Sequence, residues 1–259
     1  MDVHYLLICT VALVASGLTL YTGFGLGTLL LPAFALFFPV DVAVALTAVV
    51  HLLNNLFKLF LVGRHAHSGV VLRFGVPAFV AAYGGAQLLV WLSGLEPLYS
   101  YRLRGNLYHV MPIKLVVAVL MASFASIEMW PRFKRLSIPS KYLPLGGLVT
   151  GFFGGISGHQ GAFRSAFLLR AGLAKEGFIA TGVVIAVIID LSRLVVYWRQ
   201  MLAAEVSDSA ALLAAAVGSA FLGAFLGNKL LQKISWRLIE TSVSIMLFLI
   251  AAALASGLI

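Results

Sequence analysis

Along the chain, long apolar runs alternate with short polar or glycine-rich interruptions. The apolar runs fall at 3–22, 28–38, 42–62, 70–94, 111–130, 143–157, 162–172, 176–198, 208–228 and 237–258. A run of about twenty residues crosses a ~30 Å hydrocarbon layer as a helix. The runs at 42–62, 70–94, 111–130, 176–198, 208–228 and 237–258 meet that length, whereas 28–38, 143–157 and 162–172 do not. The short runs pair with their neighbours instead. Residues 3–38 and 143–172 each read as a broken helical hairpin that enters and leaves on one face, interrupted at Gly23–Gly27 and at Ser157–Gly161.

The same pattern recurs within the chain. The offset that carries Gly17 onto Gly151 also carries Gly27 onto Gly161, Thr47 onto Thr181, Val49-Val50 onto Val183-Val184, Ala81-Ala82 onto Ala215-Ala216 and Gly84 onto Gly218, without a gap. Residues 1–130 form one repeat, with hairpin 3–38 and spans 42–62, 70–94 and 111–130. Residues 131–142 form a cytoplasmic linker, and 143–259 the second repeat, with hairpin 143–172 and spans 176–198, 208–228 and 237–258. One hairpin plus three crossings forces opposite orientations on the two repeats. The expected fold is an all-α polytopic membrane protein of two inverted-topology repeats whose broken hairpins meet near the midplane, an architecture that transporters use.

Composition narrows the class. Hydrophobic residues make up 61% and charged residues 10%, with a mean hydropathy of +1.04, which no soluble domain can divide between core and surface. The spans leave no room for a sizeable soluble domain. Ala15-Ser16-Gly17 resembles a signal cleavage site, but no Lys or Arg precedes the first run, so it reads as part of the protein. Cys9 is the single cysteine, which excludes internal disulfides and multi-cysteine metal sites.

The net charge of +9 sits mostly in short loops, where it sets orientation and not nucleic-acid binding. Arg64, Arg73, Arg132, Lys134, Arg135, Lys141, Arg170, Lys175, Lys229, Lys233 and Arg237 share one face, expected to be cytoplasmic. Arg102, Arg104, Lys114 and Arg199 share the other with Asp2, Asp41, Glu96, Glu205 and Asp208. Both termini then lie on the non-cytoplasmic side of a membrane expected to be a bacterial inner (plasma) membrane. Trp91, Tyr99, Tyr101 and Tyr108 fit an outer interfacial belt, and Trp130, Phe133 and Trp236 an inner one.

Chemistry concentrates at Gly154–Gly172, GGISGHQGAFRSAFLLRAG, where His, Gln and Arg interrupt an apolar segment among glycines. A helix break at midplane leaves backbone polar groups that protein, water or ligand must satisfy. The half-helices after Gly27 and Gly161 would present free N–H groups and positive dipole ends, which suits an anion. Arg164, in the first turn of the second, adds a planar fork of donors matched to a carboxylate or sulfonate. The competing role for Arg164 is a salt bridge to Asp190. Candidate anion ligands are Gly25, Gly27, Thr28, Gly158, His159, Gln160, Gly161, Arg164 and Asn54.

A second polar feature lies in the span 42–62, where Thr47, His51, Asn54 and Lys58, with Asn55 alongside, occupy one helical stripe. Such a stripe faces the protein interior or an aqueous path, although Lys58 could snorkel to the cytoplasmic edge. The matching span keeps Thr181 but carries Asp190, Arg193 and Tyr197 instead, and Asp190 and Arg193 can pair across one turn. His51, His159, Asp190, Arg193 and Lys58 are therefore candidates for proton coupling or charge pairing, imidazoles being the side chains that titrate near neutrality. Gly23-x-Gly-x-Gly lacks the strand–turn–helix setting of a dinucleotide site. His65-x-His67 reads as a basic loop at lipid head groups, and Gly218-Ser219-Ala220 with Gly223 and Gly227 as a packing face.

The motifs Gly23-Phe-Gly-Leu-Gly-Thr-Leu-Leu-Leu-Pro32 and Gly151-Phe-Phe-Gly-Gly-Ile-Ser-Gly-His-Gln-Gly161, paired at the starts of the two halves, resemble the TauE/SafE family of membrane transporters, also called the toluene sulfonate uptake permease family. The resemblance covers nearly the whole chain. It implies an inverted-repeat carrier of small, often sulfur-containing anions such as sulfite, sulfonates or sulfoacetate. The second half departs from the family pattern, with His159, Gln160 and Arg164 intervening and Ala166 in place of a counterpart to Pro32. The expected function is secondary transport of a small anion by alternating access, with protons as a candidate coupling ion, no metal or cofactor, and a homo-oligomer left open. A passive anion channel, and a membrane-embedded enzyme using His51, His159 and Asp190, are the alternatives.

Overall fold

The computed structural model describes residues 3–22, 26–130, 132, 136–203, 210–230 and 236–259. Gly25 and Phe133 lie outside them. Ten α-helices fold among the described residues: α1 Val3–Thr22, α2 Leu26–Ala35, α3 Val40–Val62, α4 Ser68–Ser93, α5 Pro112–Met129, α6 Leu143–Ser157, α7 Gly161–Leu168, α8 Lys175–Ala203, α9 Ala210–Leu230 and α10 Trp236–Ala255. The helices at Val40–His65, Ser68–Ser93, Pro112–Met129 and Lys175–Trp198 are each long and apolar enough to cross a membrane. The protein is an all-α polytopic membrane protein.

Both short-helix pairs turn back on themselves. The His4 ring near the start of α1 lies 5.6 Å from Phe37, just beyond the end of α2. Ile138 N–H, ahead of α6, donates to the Ala166 carbonyl of α7 at 3.0 Å. The first pair opens beside the start of α3, the end of α4 and the start of α5, because Phe37, Val40, Ser93 and Ile113 line one 550 Å³ cavity there. The second opens at the other end, where Leu143, Phe167 and Leu168 pack with Val70 and Phe74 of α4. The half-helices begin slightly earlier than the glycine pattern predicts, so Gly27 lies inside the first turn of α2.

Helix contacts link the two halves of the chain extensively. α4 packs on α6 and α1 on α9; α3 faces α8, α5 faces α10, α4 also meets α8, and α9 meets α3. Glycine makes the α4–α6 approach close. Gly147, Gly151 and Gly155 repeat every four residues and therefore line one face of α6, against Phe74, Ala78 and Ala82 of α4. A methyl group at any of the three would collide with the backbone carbonyl of its opposite number. Small residues at that spacing let helix backbones touch where lipid offers no hydrophobic drive to associate. Gly223 of α9 meets the Leu13 carbonyl of α1 in the same way, while Gly218 has open space around its Cα.

One element departs from the helical pattern. The polar link between α4 and α5 is a β-hairpin, β1 Tyr99–Leu103 and β2 Asn106–Val110, with Tyr101 opposite Tyr108. Its two-residue turn places Arg104 at φ 51° and Gly105 at φ 87°, the paired positive φ values of a type I′ turn whose twist matches the strands. Arg-Gly is a weaker signal for that turn than Asn-Gly, so the sequence reads there as loop. The Tyr101 hydroxyl donates to the Ser256 carbonyl at 2.7 Å and fixes the hairpin to the end of α10. Trp91 and Trp130, at the ends of α4 and α5, are exposed.

The glycine face yields a direct test. Gly151→Leu should lower stability by roughly 1–3 kcal/mol through overpacking, whereas Gly218→Ala should stay within about 0.5 kcal/mol of the parent. Thermal melts in one detergent compare the two.

Candidate functional site

At the break between α6 and α7, the carbonyls that end α6 are met by side chains of α8 and of α6 itself. Gly158 ends α6 at φ +78°, a left-handed conformation open to glycine. The Gly158 N–H still donates to the Gly154 carbonyl at 3.0 Å. Three successive carbonyls at the end of α6 then receive side-chain donors. Ser157 Oγ donates to the Phe153 carbonyl at 3.0 Å, Arg193 Nη1 to that of Gly154 at 3.4 Å, and the Tyr197 hydroxyl to that of Gly155. A cation at a helix C-terminus also complements the dipole. Arg193 and Tyr197 lie one turn apart on α8, which is why both reach the same helix end.

Arg193 turns its remaining nitrogens onto Asp190. Nε lies 3.1 Å and Nη2 2.8 Å from Asp190 Oδ1, and both residues are fully buried. The other carboxylate oxygen receives His51 of α3 at 2.6 Å from Nδ1. A carboxylate oxygen only accepts, so the proton of that contact is placed on Nδ1, from which Asn55 Nδ2 also lies 3.0 Å. Asn55 Nδ2, one turn on, reaches the same oxygen at 3.5 Å. Gln160, in the break, donates from Nε2 to Oδ1 at 3.2 Å. One buried carboxylate thus joins α3, the α6–α7 break and α8.

Arg164 is one hydrogen bond removed from this carboxylate. Its Nη1 donates to Gln160 Oε1 at 3.2 Å, so the direct pin to Asp190 that the sequence leaves open is made by Arg193 and His51 instead. Lys58 stays in the interior, with 5% of its surface exposed, and does not snorkel to the helix end. The first hairpin reaches the same place: a Cβ on Gly27 would stand 3.0 Å from the Gly158 carbonyl and 4.0 Å from His51 Cδ2. Gly161 starts α7, whose N-terminus has no side-chain cap.

The remaining candidates divide. Thr28 is buried in α2. Asn54 points away from the carboxylate to α1, where its Oδ1 accepts from Ser16 Oγ at 2.9 Å. His159 is stacked on Phe124 at 4.8 Å between ring centroids, and its Nδ1 lies 3.2 Å from Ser157 Oγ. Among the described residues, Thr47 Oγ1, Asn54 Nδ2, Thr150 Oγ1 and His159 Nε2 are buried with no hydrogen-bond partner. Sequence reasoning passed over Ser16, Phe124 and Thr150, which carry no signal beyond burial among apolar neighbours. Thr181 accepts from the His67 N–H at 2.9 Å, and the His67 ring caps α4 through Val70 N–H, so His67 serves the loop structure.

Fold and site together define a polytopic membrane protein in which, among the described residues, Asp190, Arg193, His51, Gln160 and Arg164 form a buried polar cluster at the break between α6 and α7. The family model described as "Sulfite exporter TauE/SafE" matches residues 8–254, and the chain belongs to that family of membrane transport proteins. No curated protein and no solved structure matches it.

Arg193→Met should lower stability by about 3–5 kcal/mol, because it strands a buried carboxylate. Adding Asp190→Asn should recover part of that loss. A double-mutant cycle of detergent melts measures the coupling.

Proposed function

We propose that the protein is a secondary transporter that carries a small anion, a sulfur oxyanion or organosulfonate, by alternating access. The observation that supports this most is the set of buried polar donors gathered at the break between α6 and α7. Gln160, Arg164, Arg193 and His51 are all buried there, linked through Asp190 and the Gln160 amide. A charge at bilayer depth costs roughly 2.5–3.5 kcal/mol on insertion scales, so such a set suits an anionic occupant. Family membership supplies the sulfur chemistry.

The anion would sit between the hairpin tips. There the start of α7, which has no side-chain cap, offers backbone donors and Arg164 offers its fork, with Gly27 of the first hairpin against Gly158. His51, hydrogen-bonded to Asp190, is the group we assign to proton coupling, and His159 is the second candidate. Two inverted repeats account for the packing. Exchanging α1–α5 with α6–α10 turns the α4–α6 contact into α9–α1 and the α4–α8 contact into α9–α3, and returns α3–α8 and α5–α10 to themselves. Rocking of the hairpins against the remaining helices would then expose the site alternately. We place the end bearing Arg64, Arg73, Lys141, Arg170 and Lys175 in the cytoplasm.

Proteoliposomes test the reading. Sulfite or a small sulfonate should show counterflow, which separates a carrier from a channel. Arg164→Gln should weaken binding about ten- to a hundredfold, the worth of a lost charged hydrogen bond; unchanged transport of every anion tried would remove the site assignment.

Sidedness is checked separately. In a Cys9→Ser background, Ser140→Cys should react with an impermeant thiol reagent only from the cytoplasmic face and Ser100→Cys only from the other.

A further inference from the structure

The carboxylate at the centre of the site is held as a ligand would be. Asp190 accepts from Arg193 Nε and Nη2, from Gln160 Nε2, from His51 Nδ1 and from Asn55 Nδ2, over 2.6–3.5 Å. Every one of these donors belongs to a buried residue. Five donors, converging from two different helices and a helix break onto both oxygens, satisfy this carboxylate on every side, and the same set would enclose a free oxyanion. Only the Arg193 donors share a helix with the carboxylate. His51 and Asn55 arrive from α3 and Gln160 from the α6–α7 break.

We propose that Asp190 is a tethered competitor: its carboxylate occupies the oxyanion pocket of the empty transporter, and a substrate anion binds by displacing it from His51, Asn55, Gln160 and Arg193. The inference rests on the anion-transport reading and adds to it a determinant of selectivity. An entering anion must outbid a carboxylate already present at the highest local concentration the chain allows. Only an anion with several acceptor oxygens arranged to meet those donors succeeds. Chloride, a single sphere without directed acceptors, gains too little to replace them and is turned away. Specificity therefore comes from an obstacle to the wrong ligand as much as from contacts to the right one.

Displacement also explains why the donors lie on separate elements. While Asp190 holds them, α3, the α6–α7 break and α8 are bound to one another. A substrate oxyanion takes over these links one for one, with α8 joined to it through Arg193. Gln160 passes the change to Arg164, which it contacts through Oε1. Arg193 keeps its grip on the Gly154 carbonyl through Nη1, so the end of α6 stays satisfied during the exchange.

The test measures binding, not transport. Purified parent protein and Asp190→Asn are titrated with sulfite, sulfate and chloride against a gluconate background, by isothermal titration and by thermal shift. The parent should bind an oxyanion and ignore chloride. Asp190→Asn should bind the same oxyanion at least tenfold more tightly and should now also bind chloride. Equal or weaker oxyanion binding by the variant, with chloride still excluded, would overturn the competitor role while leaving the anion site in place. Absence of anion binding by both proteins would overturn the transport reading and this inference with it. Should Asp190→Asn fail to fold, Asp190→Glu keeps the charge beside Arg193 but moves the carboxylate by one methylene. It should likewise gain oxyanion affinity, whereas a merely structural role predicts a lower melting temperature with no gain.

Discussion

A carboxylate that ionises at bilayer depth has to be compensated on every side, and much of the arrangement around α8 follows from that requirement. Asp190 is fully buried, and the effective penalty for such an ion is several kcal/mol unless charge and hydrogen bonds together offset it. Arg193 supplies the charge from one turn away. Its side chain is then long enough to meet the open end of α6 as well. The same guanidinium therefore neutralises an acid and satisfies a helix end that the membrane could not. Removing either function would leave the other partner exposed in a medium that offers no water.

Close helix packing brings that cluster together. The break in α6–α7 reaches α8 only if α6 lies tightly on α4, and Gly147, Gly151 and Gly155 permit this by presenting bare backbone to Phe74, Ala78 and Ala82. Dispersion between well-fitted surfaces, and not burial from water, drives association inside a bilayer. Chemistry and packing are thus interleaved on one helix. The glycines of α6 that face α4 alternate with Gly154 and Gly158, which face Gln160 and Arg193.

The fold was largely legible in the sequence, because run length and hydropathy answer directly to membrane thickness. The short runs at 28–38, 143–157 and 162–172 fall on α2, α6 and α7. The β-hairpin was not legible. Its strands are stabilised by pairing with each other and by the Tyr101 contact to Ser256, a tertiary bond between residues far apart in the chain. Periodicity placed Thr47, His51, Asn54 and Lys58 on one stripe, yet it could not divide them. The structure turns His51 to Asp190 and Asn54 to Ser16, since residues three apart on a helix differ by about sixty degrees in direction. The meeting of His51 with Asp190 joins spans from different halves of the chain, and no local pattern encodes such a meeting.

The asymmetry between the halves bears on how such a protein works. The offset that aligns the halves sets His51 of α3 against Ile185 of α8. The polar contacts described at the site come from α3, α8 and the second hairpin, while the first hairpin contributes Gly27, whose missing side chain lets His51 and the Gly158 carbonyl approach. Among the described residues, the break between α6 and α7 supplies polar groups and Gly27 of the first hairpin supplies room. On the anion-transport reading proposed above, movement of the second hairpin has the contacts of Asp190 and Gln160 to replace, and an anion that replaces them lowers the barrier to it.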